Sequence, residues 1–348
     1  MSLSPGSLPL TFAIGLFLLG TAVVGVVGTR LTRVVDDLAD RTGIGEAIAG
    51  AMLLGMATSL SGIVLSVSAA WANRPELAMS NALGGIAVQT LFLTVADVTY
   101  RRANLEHAAA SLGNLMQGAL LLCLLGLLLV GRFSPEITVW HIHPVTPLLF
   151  VGYLFGLRLV NKVQANPMWR PARTRETRLD EPDAAAMQRS LSLLWLAFVI
   201  MAAVLGLAGW VLERSATAIA VNSGLSQTAV GVLLTSVATS LPELVTTLAA
   251  VRRGALTLAV AGIIGGNAFD VLFAAASDVA YRGGSIYHAV PDSVVLWIAL
   301  SLLMTGVMLA GLIRREEQGP GRIGFESVTI IGCYLAGVVM VMLGGEGG

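Results

Sequence analysis

The chain has 348 residues, balances 21 basic against 21 acidic side chains and is only 12% charged, about half the share found in soluble globular domains. Its 55% hydrophobic residues and mean hydropathy of +0.80 exclude a water-soluble enzyme, a disordered chain and a protein that reads nucleic acid through a basic face. They point to a polytopic membrane protein, since a spanning helix needs about 20 mostly apolar residues.

The N-terminal Met1–Gly6 lacks the basic residues of a cleavable signal, so the first apolar run is expected to stay as a helix. Runs bounded by charges, Gly or Pro predict ten helices, near 8–29, 44–71, 76–100, 111–131, 144–162, 189–212, 224–251, 255–281, 290–313 and 323–344. The 44–71 and 224–251 runs exceed a straight crossing and carry polar residues near their middles, which predicts tilted or broken helices. The one long hydrophilic stretch, 163–188, is rich in Arg and Pro and reads as a solvated cytoplasmic linker. It divides the chain into a first five-helix half, 1–162, and a second, 189–348. The expected fold class is therefore an all-α membrane protein of ten transmembrane helices in two five-helix repeats. Cys123 and Cys333 lie inside apolar runs without metal-ligand neighbours and read as unpaired packing residues.

Orientation follows from the basic residues. With the N-terminus outside, inward loops collect 17 of them, from Arg30 and Arg33 through Arg101, Arg102 and Arg170 to Arg315 and Arg322. Only Arg74, Arg132, Arg214 and Arg282 remain outward. Ten helices with both termini outside the cell membrane are mutually consistent.

The strongest signal is an internal repeat at a constant offset of 181 residues. Gly43, Gly50, Ala57-Thr58-Ser59-Leu60, Gly84-Gly85, Leu91-Phe92 and Asp97-Val98 return as Gly224, Gly231, Ala238-Thr239-Ser240-Leu241, Gly265-Gly266, Leu272-Phe273 and Asp278-Val279. About a third of the 43–101 window is identical without a gap. An odd number of helices per half makes the two copies face opposite ways, the plan of secondary transporters with a midplane ion site between inverted repeats.

Two acids lie deep in apolar segments, Glu243 and Asp270. Each costs about 2.5–3.5 kcal/mol or more at a helix centre unless it faces the bundle interior. Pro242 lacks an amide hydrogen, which is expected to free the Ala238 carbonyl. That carbonyl, the Thr239 and Ser240 hydroxyls, two carboxylates and the Asn267 amide oxygen form a hard-oxygen set suited to Na⁺ or Ca²⁺. The bland alternative is a polar cluster that glues two helices. One of two acids buried so deeply can also carry a proton, which keeps proton coupling open.

The run Ala238-Thr239-Ser240-Leu241-Pro242-Glu243-Leu244, followed by Gly266-Asn267-x-x-Asp270, resembles the second alpha-repeat of the calcium/cation antiporter superfamily, above all its prokaryotic sodium/calcium exchanger branch. The resemblance covers nearly the whole chain. It implies alternating-access exchange of inorganic cations, Ca²⁺ against Na⁺, with Glu243, Asp270, Thr239 and Ser240 as ligands and no cofactor. Partners would be the cations and the lipid bilayer.

The first repeat departs from that pattern. Thr58 and Ser59 are kept, but Ser61 and Gly62 stand where the family has Pro and Glu, Gln89 takes the amide-ligand position, and Ile86 replaces Asn. Half of the cation box is thus neutral, and two carboxylates balance one divalent or two monovalent ions. The three-sodium stoichiometry is in question, and an H⁺-coupled or Mg²⁺ exchanger or a transport-inactive relative stands as an alternative. An intramembrane aspartyl hydrolase would also need two close acids, yet the Tyr-Asp and Gly-x-Gly-Asp motifs of such enzymes are absent. Asp97 and Asp278 read as capping or interfacial residues, and His141-x-His143 as an interfacial pair in an external loop.

Overall fold

The computed structural model describes residues 8–42, 58–100, 103–168, 190–254, 256–317 and 323–344. Twelve helices account for nearly all of them. In chain order they are α1 (Leu10–Thr42), α2 (Leu60–Trp71), α3 (Pro75–Thr99), α4 (Leu105–Ala109), α5 (Leu112–Phe133) and α6 (Val145–Ala165). There follow α7 (Leu191–Ser223), α8 (Gln227–Thr239), α9 (Leu241–Arg253), α10 (Leu256–Ala280), α11 (Asp292–Arg314) and α12 (Phe325–Gly344). The extended contact among the described residues is a lone bridge between Val139 and Ile142.

Local chemistry sets the helix limits. Ser111 and Ser226 accept the amides of Asn114 and Ala229 and so cap α5 and α8. Gly224 and Gly254 end α7 and α9 in the left-handed region, at φ 74° and 85°, where a side chain would be strained.

Among the described residues, seven helices are long and apolar enough to cross a bilayer: α1, α3, α5, α7, α10, α11 and α12. The bent pair α8–α9 makes an eighth if it is one span. The fold is therefore an all-α, multi-pass membrane fold, and two of the ten expected spans are not among those identified in the described residues. The first part of the 44–71 run lies outside the described residues, and the remainder is the 12-residue α2. At 1.5 Å per residue α2 alone reaches about 18 Å, short of the ~30 Å hydrocarbon core. The 144–162 run is the 21-residue α6, whose Arg158, Asn161, Lys162 and Gln164 leave it outside the apolar set.

The offset of 181 extends to the architecture. The bounds of α1 recur as those of α7 and the bounds of α3 as those of α10. The central pair is α3 and α10, each 78% buried across its apolar stretch, whereas α1 and α7 are 22% and 17% buried and pack along each other. Such a difference places α3 and α10 inside the bundle and α1 and α7 against lipid. Gly84 admits α8 to α3, because a Cβ there would come within 2.7 Å of the Val232 Cα.

Hydrogen bonds repeat in the same register at the ends of α3 and α10. Asp97 accepts from the Leu105 amide at 2.7 Å, the Ser327 hydroxyl at 2.8 Å and the Gly324 amide at 3.4 Å. Asp278 accepts from the Ile286 amide at 3.0 Å, the Thr146 hydroxyl at 2.6 Å and the His143 amide at 2.8 Å. Each partner of Asp278 stands 181 residues from a partner of Asp97. Both carboxylates are fully buried, so they cap neighbouring segments in trans and do not lie at an interface.

His143 also departs from expectation. It is buried, with its ring against Tyr287 and His288 at 5.5 and 5.6 Å, while His141 is exposed. Cys123 and Cys333 are free thiols, but Cys123 is exposed on α5 and is not a packing residue. An ion pair between Arg74, before α3, and the fully buried Glu213 fastens α7 to the α3 end of the bundle.

Candidate functional site

The site grows from the break between α8 and α9. Residues Val230–Thr235 form a π-helical stretch, a distortion that often accompanies functional positions. Ser240 then leaves the helix at φ −95°, ψ 6°, and the axis bends by 46°. Pro242 falls in the first turn of α9, where its missing amide hydrogen costs nothing. For the same reason Ala238 has no amide four residues on to fill its carbonyl. The next residue, Glu243, sits in the first turn of α9, where the helix dipole favours a negative charge.

Four elements converge there. The Ser59 hydroxyl, at the start of α2, lies 2.7 Å from Asp270 Oδ1 and 3.3 Å from Glu243 Oε1, so it stands between the two acids. Thr58 also hydrogen-bonds the Glu243 carboxyl. Gln89, in the middle of α3, donates its amide to Asp270 Oδ2 at 2.6 Å and to the Ser240 hydroxyl at 3.3 Å. Gln89 and Asp270 occupy equivalent positions at the 181-residue offset, so their bond joins the two halves at matching points. Glu243 is the most exposed of Ser59, Gln89, Ser240, Glu243 and Asp270, at 5%. The cluster is occluded.

Of the nine residues singled out from sequence, the fold gathers Thr58, Ser59, Gln89, Ser240, Glu243 and Asp270 into this one cluster. Two others turn elsewhere. The Thr239 hydroxyl bonds back to the Thr235 carbonyl at 2.9 Å, and the Asn267 amide donates to Thr90 at 3.0 Å. Ala238 contributes through its backbone, in the turn before the bend.

Two buried acceptor oxygens of the cluster lack a hydrogen-bond partner, Glu243 Oε2 and Gln89 Oε1, as does Asn267 Oδ1 one turn before Asp270 on α10. Orphaned buried acceptors are costly, and a cation satisfies several at once. The available donors are carboxylate, amide and hydroxyl oxygens without sulfur or imidazole, a set that suits hard cations and not zinc or copper. Two glycines let the helices approach closely at the cluster. A Cβ on Gly85 would lie 3.5 Å from Asp270 Oδ2, and one on Gly266 would lie 3.3 Å from Gln89 Oε1.

Sequence reasoning passed over Thr90, which holds Asn267, and Asn81, whose amide reaches the Gly62 carbonyl at 3.3 Å and the Ser66 hydroxyl at 3.0 Å. A polar side chain within an apolar run signals both. No signal in the sequence places Phe273, whose ring stands against Gly62.

Known proteins share this fold over most of the chain. The sodium-calcium exchanger NCX_Mj, soaked with 100 mM Na⁺ and 10 mM Sr²⁺, superimposes with a TM-score of 0.59 at 17% identity, covering 95% of this chain and 99% of that one. The H⁺/Ca²⁺ exchanger CAX has a TM-score of 0.71 at 12% identity, over 95% of this chain and 82% of its own. At such identities the likeness concerns the fold. In sequence, the inner membrane protein YrbG of Escherichia coli (strain K12) is 25% identical over 312 residues, which are 89% of this chain and 91% of YrbG.

Family pattern and fold together define the class: a secondary-active transporter of inorganic cations, embedded in a membrane, and not an enzyme. The chain belongs to the sodium/calcium exchanger protein family, whose sequence pattern matches residues 12–159 and 192–343.

Proposed function

We propose that this protein is a cation antiporter which binds its cargo between Glu243 and Asp270 and exchanges Ca²⁺ for Na⁺. The carrying observation is that one hydroxyl, Ser59, lies within hydrogen-bond distance of both acids, with unpartnered oxygens of Glu243, Gln89 and Asn267 in the same buried region. In this reading Glu243 and Asp270 are the charged ligands. Thr58, Ser59, Ser240, Gln89 and the Ala238 carbonyl complete the oxygen set, and Thr239 and Asn267 join it only if their side chains turn from Thr235 and Thr90.

Antiport follows from charge. Two ionised acids in a low-dielectric interior are costly to move without counter-charge. One divalent or two monovalent cations neutralise them. A site that changes sides only when neutralised must carry a cation in each direction, which is obligatory exchange.

The architecture that performs this is two inverted five-helix halves, 1–162 and 189–348, joined by a cytoplasmic linker at 163–188, with both termini outside the plasma membrane. Recurrence of helix bounds and Asp97/Asp278 contacts at 181 residues supports the duplication. Inversion and sidedness rest on helix parity and on the distribution of basic residues.

A proton is the second counter-ion to consider, and a specific geometry favours it. The Ser59 hydroxyl has one hydrogen, which the 2.7 Å contact assigns to Asp270. Glu243, at 3.3 Å, then shares that hydrogen weakly, and a proton of its own would make the contact a full hydrogen bond. The Glu243 proton would be the group that an incoming cation displaces.

Flux of Ca²⁺ in reconstituted vesicles, driven in turn by Na⁺ and H⁺ gradients, tests both readings. Glu243→Gln abolishes flux under either gradient. Undiminished flux in that variant removes the site assignment.

A further inference from the structure

In the first half, position 62 is the counterpart of Glu243 at the 181-residue offset, and it is a glycine. A neutral residue there is a chemical deficit only if the space beside it is open. The space is filled. A Cβ built on Gly62 would lie 2.8 Å from Phe273 Cε2, 3.5 Å from Cζ and 3.7 Å from Cδ2. The first of these is closer than carbon atoms approach, so even the shortest side chain drives into the ring.

Neither party can yield easily. Phe273 is 3% exposed and stands on α10 one turn beyond Asp270. Its ring packs edge-on against Phe269 at 6.0 Å and 89°, and Phe269 in turn packs against Tyr153 at 6.0 Å. On the other side, the Gly62 carbonyl is held by the Asn81 amide. An aromatic row therefore runs to the cation cluster and ends at the position where a third carboxylate would enter.

We propose that Phe273 determines the cation load: its ring excludes an acid from the first half and confines the site to the two charges of Glu243 and Asp270. The inference rests on the reading of those two acids as the cation ligands. The glycine and the phenylalanine then form one device, because the ring needs a residue without a side chain opposite it. Changing either alone does not restore a larger site. Gly62→Glu puts a carboxylate into an occupied volume, and Phe273→Ala opens a volume lined by no new charge. Together they create room and charge for one more monovalent cation beside Asp270.

The experiment is a double-mutant cycle over Gly62→Glu and Phe273→Ala in the full chain, read by thermal unfolding in detergent and by flux in proteoliposomes. Gly62→Glu alone is expected to lose stability, and adding Phe273→Ala to recover a large part of that loss. In vesicles the double variant is expected to exchange with a higher monovalent-to-divalent coupling ratio, raised by one, seen as a shift in the gradient at which net flux reverses. Additive stability changes would overturn the proposal, as would a folded double variant with the wild-type ratio. Glu243→Gln in the same vesicles separates the two layers. Surviving flux there refutes the cation site itself, whereas lost flux with an unchanged ratio in the double variant refutes the role of Phe273 alone.

Discussion

Replacing Asp278 by Asn tests how much the buried end of α10 contributes. Asp278 Oδ1 takes the Ile286 amide, and Oδ2 takes the His143 amide and the Thr146 hydroxyl. Asparagine keeps the shape but offers one oxygen and one NH₂. If the NH₂ turns toward Ile286, one backbone N–H is left buried without a partner. If it turns the other way, the Thr146 hydroxyl can rotate toward Tyr287, 2.7 Å off, but the His143 amide is opposed. Either orientation loses at least one charge-assisted bond, about 1.5–3 kcal/mol, and orphans an N–H, about 1–3 kcal/mol. The expected cost is about 3–5 kcal/mol, a fall in Tm of roughly 6–10 °C at roughly 2 °C per kcal/mol. Asp97→Asn breaks the equivalent contacts, yet the charge of Asp97 bears on the buried Glu106. At a pH where Glu106 is ionised, relief of that repulsion makes Asp97→Asn the cheaper change. Thermal unfolding of both variants in detergent reads the difference. An Asp278→Asn loss below about 1 kcal/mol, or an Asp97→Asn loss equal to or greater than it, refutes this account of the two networks.

Other outcomes follow from the same structure. Saturating Ca²⁺ should stabilise the wild type by about 2.7 kcal/mol at a hundredfold excess over Kd, and Asp270→Asn should abolish that gain in thermal-shift titrations. A transport-inactive relative without ion binding would show no gain even in the wild type. Arg74→Ala leaves Glu213 buried without its main partner and should cost about 3 kcal/mol in unfolding experiments, the low end for a broken buried pair because Arg214 stays 3.4 Å away. The Glu106 carboxyl, in the short α4 between spans, is held well above the usual carboxylate range, first by burial and then by the charges of Asp97 and Glu326. A group that binds its proton more tightly when folded adds stability in acid and loses it as pH rises from the ordinary carboxylate range through the raised value. Tm should therefore decline across that interval, and Glu106→Gln should flatten the decline; parallel curves for variant and wild type would contradict it.

Several features could be read from the residues alone because they rest on local rules. Lipid solvates no polar backbone, so long apolar runs become helices and the few intramembrane acids stand out. Pro242 is tolerated only in the first turn of a helix and so marks a break just before it, and the 57–60 and 238–241 tetrapeptides reveal a duplication without any knowledge of packing. Glu243, Asp270, Ser59 and Gln89 were identifiable on that basis. Number of spans was harder, because α2 is short and α6 is polar at one end, and run length does not reveal depth in the bilayer.

The tertiary structure alone decided which groups meet. Ser59 reaches Asp270 across 211 residues of sequence and Gln89 reaches Ser240 across 151, contacts set by how α2, α3, α8 and α10 pack. Thr239 and Asn267 share helices with the site, yet their side chains turn to Thr235 and Thr90, a choice made by rotamer and neighbour and not by spacing. Gly62 reads in the sequence as a missing acid, while the packed structure makes it the clearance for Phe273. Local patterns determine what each helix is and which residues it offers. Steric exclusion between helices distant in the chain determines which of those residues share a volume.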